Sequence, residues 1–325
     1  MVTTSADETG LHVLVADTKA AYQWRTAATL AEPGMTTDQW TGQLCVTGSG
    51  RRAVVVYAPR QFANKENLLN AGAFAAVVDL STGAVTKLPE RYSLAYHNPG
   101  CAAGESVVLT RLEMPATANG NAAARTVLTT VDTRRPLAGH RVYASGQLTS
   151  AVPVEGSILA AKGDALVTVD RKGTVRTAAR TGGTPFRLMP DGSRGVAFQV
   201  ARTDKVDLLR WTGGRLATVA TVPSGTVKLR AGGQGRVFAV GARAGARLAG
   251  RSLPPGWRSI DAPPDSDVSR TGDLFVTRAG TGREAVGPTA GGGTGDGRAD
   301  RITARTGAVT YANAVSSRLS AVGYN

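Results

Sequence analysis

The chain has 325 residues, of which 38 are Lys or Arg and 24 are Asp or Glu, so its formal charge is +14. Hydrophobic residues make up 42% of the sequence, which allows a large core and excludes disorder caused by low hydrophobicity. Two Cys and three His are too few and too scattered for a zinc module. No run of about 20 apolar residues predicts a membrane span, and the start, Met1–Ser5, shows no signal peptide.

The basic residues are spread along the chain and form no dense basic run, and aromatic residues are only 5% of the sequence. Both features argue against a nucleic-acid-binding surface. A surface of this charge still attracts anions. We expect a protein or an anionic glycan as partner rather than nucleic acid, and no membrane span. The Gly-rich segment 232–235 lies between short strands rather than before a helix, so no cofactor is expected. We expect the isolated domain to be a monomer.

Short β segments follow one another along the chain, each rich in β-branched or aromatic residues and bounded by Gly, Pro, Asp or Ser. One short helix is predicted within residues 64–71. A unit of four strands recurs, with an Asp-containing hairpin between its third and fourth strands. The spacing of about 40–50 residues is typical of a propeller blade. The opening strands of these units begin at Gly42, Ser93, Gln147, Pro185, Val227 and Asp267.

Six complete units leave an incomplete unit at each end of the chain. Residues 11–31 predict two strands, and Arg318–Val322 predicts an opening strand. Pairing the two ends would make a seventh blade and would remove the exposed strand edges of an open ring. A tandem of β-sandwiches, the alternative fold, gives no reason for complementary halves at the two ends.

We therefore predict an all-β, seven-bladed β-propeller with four-stranded antiparallel blades, closed by pairing the C-terminal strand with N-terminal strands. Residues 1–10 are expected to form a flexible tail, and residues 11–325 a single domain. Its last blade would be split between residues 11–41 and 317–325.

The Asp-x-x-Thr-Gly-type hairpin, as in Asp79–Gly83, resembles the hairpins of YVTN and quinoprotein-like propellers. Residues 43–60, 93–101 and 146–153 look like the N-terminal region of large secreted actinobacterial proteins. Those proteins are described as golvesin C-terminal-like domain proteins and are related in organisation to RHS-type surface proteins. The resemblance covers residues 11–155. It implies a propeller of extracellular origin cut from a longer chain, and it carries over no catalytic residue.

The two cysteines occupy related places in neighbouring units. Cys45 lies in one opening strand, and Cys101 follows the opening strand of the next unit. Adjacent blades bring these segments side by side near the channel, so we predict a Cys45–Cys101 disulfide, with two buried free thiols as the alternative. An even number of Cys without a Cys-x-x-Cys motif fits an oxidising compartment, and we expect a secreted or cell-surface protein.

Opening strands line the channel of a propeller, and several of them carry basic side chains here. If these side chains point inward, they form a positive funnel for an anionic ligand or for an acidic segment of a partner. The alternative is that each points to a solvated loop face. The candidate binding residues are His97, Arg187, Lys228, Arg230, Arg270 and Arg318.

Asp296-Gly297-Arg298-Ala299-Asp300 has the form of the tail of a calcium loop. A working loop needs several oxygen ligands, and only two carboxylates remain here. We therefore expect a flexible Gly-rich hairpin, with Asp296 and Asp300 as the calcium candidates.

The function that fits best is a non-catalytic extracellular binding or scaffold module that recognises a protein partner or a cell-surface glycan within a larger secreted protein. Propellers carry their function in the loops at the ends of the channel. Two alternatives stay open: a propeller hydrolase or lyase with a site at the channel mouth, and a lectin-type adhesin for acidic glycans. No residue is assigned as catalytic, because no acidic pair has a spacing that demands catalysis.

Overall fold

The computed structural model describes residues 1–16, 24–95, 97–114, 123–241 and 243–261, and beyond them only the backbone of five strands between residues 267 and 313. Within residues 1–261, the chain forms six sheets of three or four strands, each made from consecutive strands. The first strands of successive sheets contact one another, which is the arrangement of blades around a channel. The predicted all-β propeller class is confirmed, but the predicted number of seven blades is wrong.

The first three blades are meanders whose opening strand lies innermost. Blade 1 contains β1 (Val2–Asp7), β2 (Gly10–Val15) and β3 (Arg25–Leu30). Blade 2 contains β4 (Trp40–Val46), β5 (Arg52–Pro59), β6 (Phe74–Asp79) and β7 (Val85–Lys87). Blade 3 contains β8 (Gly100–Cys101), β9 (Ser106–Glu113), β10 (Arg125–Asp132) and β11 (His140–Ser145).

The next three blades follow the same order, except that the last strand of blade 6 runs parallel to its neighbour. Blade 4 contains β12 (Thr149–Val154), β13 (Ser157–Lys162), β14 (Ala165–Val169) and β15 (Val175–Arg180). Blade 5 contains β16 (Pro185–Asp191), β17 (Gly195–Ala201), β18 (Lys205–Thr212) and β19 (Arg215–Pro223). Blade 6 contains β20 (Val227–Ala231), β21 (Val237–Gly241) and β22 (Trp257–Asp261).

A few elements lie outside these six blades. The predicted short helix is present as α1 (Glu66–Ala71), preceded by a 3₁₀ turn, and a second short helix precedes β22. The remaining elements are α2 (Ala244–Arg247), the 3₁₀ turns Arg60–Asn64 and Gly233–Gly235, and the strands β23 (Asp267–Val268), β24 (Phe275–Ala279), β25 (Gly282–Val286), β26 (Ala299–Thr303) and β27 (Val309–Asn313).

The first blade is completed by the N-terminal residues themselves. Strand β1 lies where the sequence predicted a flexible tail, and it pairs with β2 from Val2 opposite Val15 to Asp7 opposite Gly10. It therefore holds the inner position that the prediction assigned to a C-terminal strand. That predicted closing strand, residues 317–325, lies outside the described part of the chain. The span of a single domain over residues 11–325 stays a prediction.

The second strand of a blade is buried on both faces. In β5, every residue from Ala53 to Ala58 is fully buried. Val55 and Tyr57 pack in a core cluster with blade 1, whereas Val54 and Val56 pack in a cluster with blade 3. Because both faces lie against neighbouring blades, the strand is a continuous apolar run rather than an alternating one.

Two Asp-containing hairpins, in blades 2 and 4, contact the blade that precedes them. The Asp79 carboxylate accepts two backbone hydrogen bonds of 3.0 Å from within its own hairpin, which forms a tight turn. Gly83, at φ 77°, lies against the backbone of Ala27 in β3, where a Cβ would be 2.4 Å from the Ala27 carbonyl oxygen. Gly173 lies in the same way against Tyr143 of β11. In these two blades the hairpin therefore docks its blade against the preceding one.

Candidate functional site

A cavity of about 280 Å³ lies in the central channel, and we call it the axial cavity. It is surrounded by β1, β4, β16 and β20 and by the segment that precedes β8. Its polar side chains include Thr3, Gln43, His97, Arg187 and Arg230. The propeller thus brings residues that are far apart in the sequence to one position on its axis.

Three of the six predicted binding residues meet at this cavity, namely His97, Arg187 and Arg230. Lys228 lies in the same strand as Arg230 but does not line the cavity. Arg270 and Arg318 lie outside the described residues. The sequence showed no sign that Thr3 or Gln43 would belong to the site, since both are small or neutral residues in ordinary strand positions.

Irregular backbone directs two of these side chains. Arg187 has a φ of 55° at a register shift in β16, and His97 has a φ of 56° just before β8. Left-handed backbone is unfavourable for residues other than Gly, so surrounding contacts must hold it. Ser150 holds the bulge in β16, because its hydroxyl oxygen accepts a hydrogen bond of 2.8 Å from the Leu188 N–H. Ser150 itself has a φ of 51° and lies in the bulge of β12.

His97 is a neutral member of the site. Its ring lies 6.3 Å from the ring of Phe186, measured between centroids. Burial, and secondarily the positive charge of Arg187, lowers the pKa of His97 from its ordinary value of 6.5 to about 4. At neutral pH the imidazole therefore carries hydrogen-bonding groups but no charge, and the positive charge of the cavity comes from its arginines.

Buried amide side chains hold the walls of the cavity. The Asn98 Oδ1 accepts a hydrogen bond of 2.9 Å from the Thr110 N–H, and its Nδ2 donates one of 2.7 Å to the Ser93 carbonyl. The Gln199 Oε1 accepts a hydrogen bond of 2.9 Å from the Leu229 N–H, which joins blade 5 to blade 6. Satisfied buried polar groups of this kind rigidify their surroundings, so the site is preformed.

The predicted disulfide between Cys45 and Cys101 is confirmed. Its sulfur atoms are 2.01 Å apart and its Cα atoms 5.7 Å apart. The bond connects β4 of blade 2 to β8 of blade 3, directly beside the cavity wall that contains Gln43. It therefore links two inner strands of the ring covalently.

One end of the channel is covered by hairpins that join the first and second strands of the blades. The Gly48 N–H donates to the Gly104 carbonyl at 2.8 Å, and the Gly192 N–H donates to the Gly235 carbonyl at 2.7 Å. The Gln234 N–H donates to the Gly48 carbonyl at 3.3 Å, which links blade 6 to blade 2. A ligand of the axial cavity would therefore enter from the opposite end, where the chain crosses from blade to blade.

Acidic and metal-binding groups are sparse around the site. No Asp or Glu occurs among the described residues that line the axial cavity. In the part of the chain that the structure describes, no cluster of three or more His, Cys, Asp or Glu could hold a metal ion. Of the calcium candidates, Asp296 lies outside the described residues, and Asp300 lies in β26, of which only the backbone is described.

None of the helices in the described ranges is long and apolar enough to cross a membrane.

Comparison with known proteins finds only distant structural neighbours. No protein-family model and no curated protein matches the chain. TolB from Acinetobacter baumannii is similar at 13% identity and a TM-score of 0.45, over 88% of this chain and 61% of that one. The β-propeller domain of the Trilobed protease from Pyrococcus furiosus is similar at 9% identity and a TM-score of 0.45, over 87% of this chain and 76% of that one. This chain thus spans about three fifths of the length of that TolB.

The second of these neighbours is described as a β-propeller domain. Their identities are too low to indicate an activity. The resemblance of residues 11–155 to the golvesin C-terminal-like proteins is not confirmed by any of the comparisons.

Proposed function

We propose that the protein is a non-catalytic binding module that recognises an anionic group of its partner in the axial cavity. The observation that carries this proposal is the convergence of Arg187 and Arg230 with the neutral His97 on the axis of the ring. Guanidinium groups bind carboxylate, sulfate and phosphate oxygens through paired, charge-assisted hydrogen bonds. A neutral imidazole adds a hydrogen-bonding group without opposing either charge.

The volume of the cavity limits what enters it. About 280 Å³ lies just below the usual range of about 300–1,000 Å³ for ligand pockets. It accommodates one acidic side chain or one acidic sugar residue, and not an oligosaccharide. Because hairpins cover one end of the channel, the partner would present a single anionic group from the other end rather than pass through the ring.

In this proposal the protein acts outside the cytoplasm. The Cys45–Cys101 disulfide supports this, since disulfides persist in oxidising compartments. Within a larger secreted protein, the ring would serve as a rigid binding unit. A lectin for acidic glycans is a variant of the same proposal, with a sugar acid in place of an acidic side chain. No specific observation in the described residues favours the hydrolase or lyase alternative.

The test compares two axial arginines with a matched arginine on the surface. Calorimetric titrations would use an oligogalacturonate and a hexaglutamate peptide as anionic probes. We expect Arg187→Gln and Arg230→Gln each to weaken binding at least tenfold, because a hydrogen bond to a charged group contributes about 1.5–3 kcal/mol. Arg215, exposed on the outer strand of the same blade as Arg187, supplies the control Arg215→Gln, which should stay within twofold.

Salt dependence separates a specific site from general attraction. Binding should decrease as NaCl rises from 50 to 500 mM, because screening reduces the attraction between charges. If all three variants reduce affinity equally, the net charge of +14 holds the probe and the axial site is wrong. Absence of binding to either probe at low salt would also contradict it. Preference for the galacturonate over the peptide would favour the lectin form.

A further inference from the structure

A second cavity of about 720 Å³ lies on the face of the ring that carries the hairpins, and we call it the hairpin cleft. It is formed by blades 3, 4 and 5 around the segments 102–104, 153–158 and 190–195. It shares no residue with the axial cavity. The sequence contained no motif that pointed to it.

The floor of the hairpin cleft is aliphatic. Val142, Val154, Ile158 and Val169 line it, and each is at most 8% exposed. Three of them belong to the core cluster between blades 3 and 4, so the floor is supported by packed side chains. Such a surface offers water no hydrogen-bonding groups, so the hydrophobic effect favours an apolar group that covers it.

Three stretches of small residues form much of the mouth of the hairpin cleft. Ala102–Gly104, Gly156–Ser157 and Gly192–Ser193 surround it, and none of these positions has a side chain larger than Ser. The hairpins therefore leave a space that bulkier residues would fill. Hydroxyl groups of Ser157 and Ser193 and nearby backbone groups form a polar rim above the apolar floor. This combination is typical of small-molecule sites.

The charged groups at the mouth are balanced. The Glu155 carboxylate is 2.7 Å from the Arg194 guanidinium. The Asp170 carboxylate accepts backbone hydrogen bonds of 2.8 and 3.0 Å within its own hairpin, and these lower its pKa. Arg171 adds a second positive charge to match this second carboxylate. The mouth thus has no excess of either sign, in contrast to the axial cavity.

We propose that the hairpin cleft binds a neutral amphipathic small molecule. An aliphatic or aromatic body would cover the floor, and hydroxyl or amide groups would bond to the rim. The volume of about 720 Å³ lies well within the usual range of about 300–1,000 Å³ for such ligands. A charged ligand would leave an unmatched charge against the apolar floor, where removal from water is costly. This proposal stands independently of the axial cavity.

The test uses Nile red, a neutral fluorescent dye, as the probe. We expect saturable binding at one site per chain, unaffected by NaCl between 50 and 500 mM. Ser157→Trp and Ser193→Trp should each weaken binding at least tenfold, because an indole placed at the rim fills the cleft. Ser224→Trp, on an exposed turn outside the cleft, should stay within twofold.

Competition checks the expected neutrality of the ligand. 1-Hexanol should displace Nile red at a concentration at least tenfold lower than sodium hexanoate does. Circular dichroism establishes that each variant is folded, and the exposed Ser193 position keeps the test valid if Ser157→Trp does not fold. The proposal is overturned by absence of saturable binding, by equal losses in Ser157→Trp and Ser224→Trp, or by equal displacement by the alcohol and the carboxylate.

Discussion

The disulfide between the second and third blades provides a prediction whose magnitude follows from its position in the chain. Cys45 and Cys101 are separated by 56 residues. Cross-linking a loop of this length removes conformational entropy from the unfolded chain, which corresponds to about 4 kcal/mol at 25 °C. We therefore expect Cys45→Ala combined with Cys101→Ala to lower the free energy of unfolding by about 4 kcal/mol. For a chain of 325 residues, this equals a decrease in Tm of about 6 °C.

Guanidinium unfolding followed by tryptophan fluorescence measures this loss. Three samples are compared: the oxidised protein, the reduced protein and the double variant. If the effect comes from the constraint on the unfolded chain, the reduced protein and the double variant should be equally destabilised. The reduced protein keeps both sulfur atoms, so it controls for packing lost at Cys101, which is buried. A loss below about 1 kcal/mol in both samples would refute the chain-entropy reasoning.

Two further predictions concern the channel. Gly48→Ala would place a Cβ 1.4 Å from the backbone carbonyl oxygen of Ala103, so thermal unfolding should show a loss of stability of about 2–4 kcal/mol. The control Gly104→Ala adds a Cβ that meets nothing within 4 Å, and it should change stability by less than about 1 kcal/mol. Equal effects of the two variants would argue against the hairpin contact. The pKa of His97 is lowered to about 4, so the unfolded chain binds its proton first as the pH falls, and this contribution to stability should disappear between pH 6.5 and 4, by at most about 3 kcal/mol. His97→Gln should remove that part of the pH dependence in denaturant titrations, and an unchanged profile would show that another group causes it.

Several features of the fold were predictable from local sequence. Buried central strands such as β5 are continuous apolar runs because both of their faces lie against neighbouring blades. Asp79 and Gly83 marked a hairpin because the carboxylate caps the turn and Gly adopts positive φ. The position of Cys45 and Cys101 in successive repeats was enough to predict their bond.

The number of blades was not predictable in this way. Strand β1 contains Thr3 and Ser5, small polar residues without an apolar pattern, and it looked like a tail. Both residues are buried in the structure, because β1 pairs with β2 and fills the inner position of blade 1. Strand pairing depends on packing throughout the ring, and a short strand has too few residues for its sequence pattern to reveal its partner.

For the axial cavity, too, the sequence predicted some of the residues, and the tertiary structure determined which of them meet. The sequence determined that basic residues occur in opening strands, and Arg187 and Arg230 were named on that basis. Only the tertiary structure decided that they meet His97 in one cavity while Lys228 does not line it. The physical reason is that left-handed backbone at Arg187 and His97 is imposed by contacts with other blades, such as the one between Ser150 and the backbone of β16. Local sequence sets which strands form, whereas contacts between distant segments set where their side chains converge.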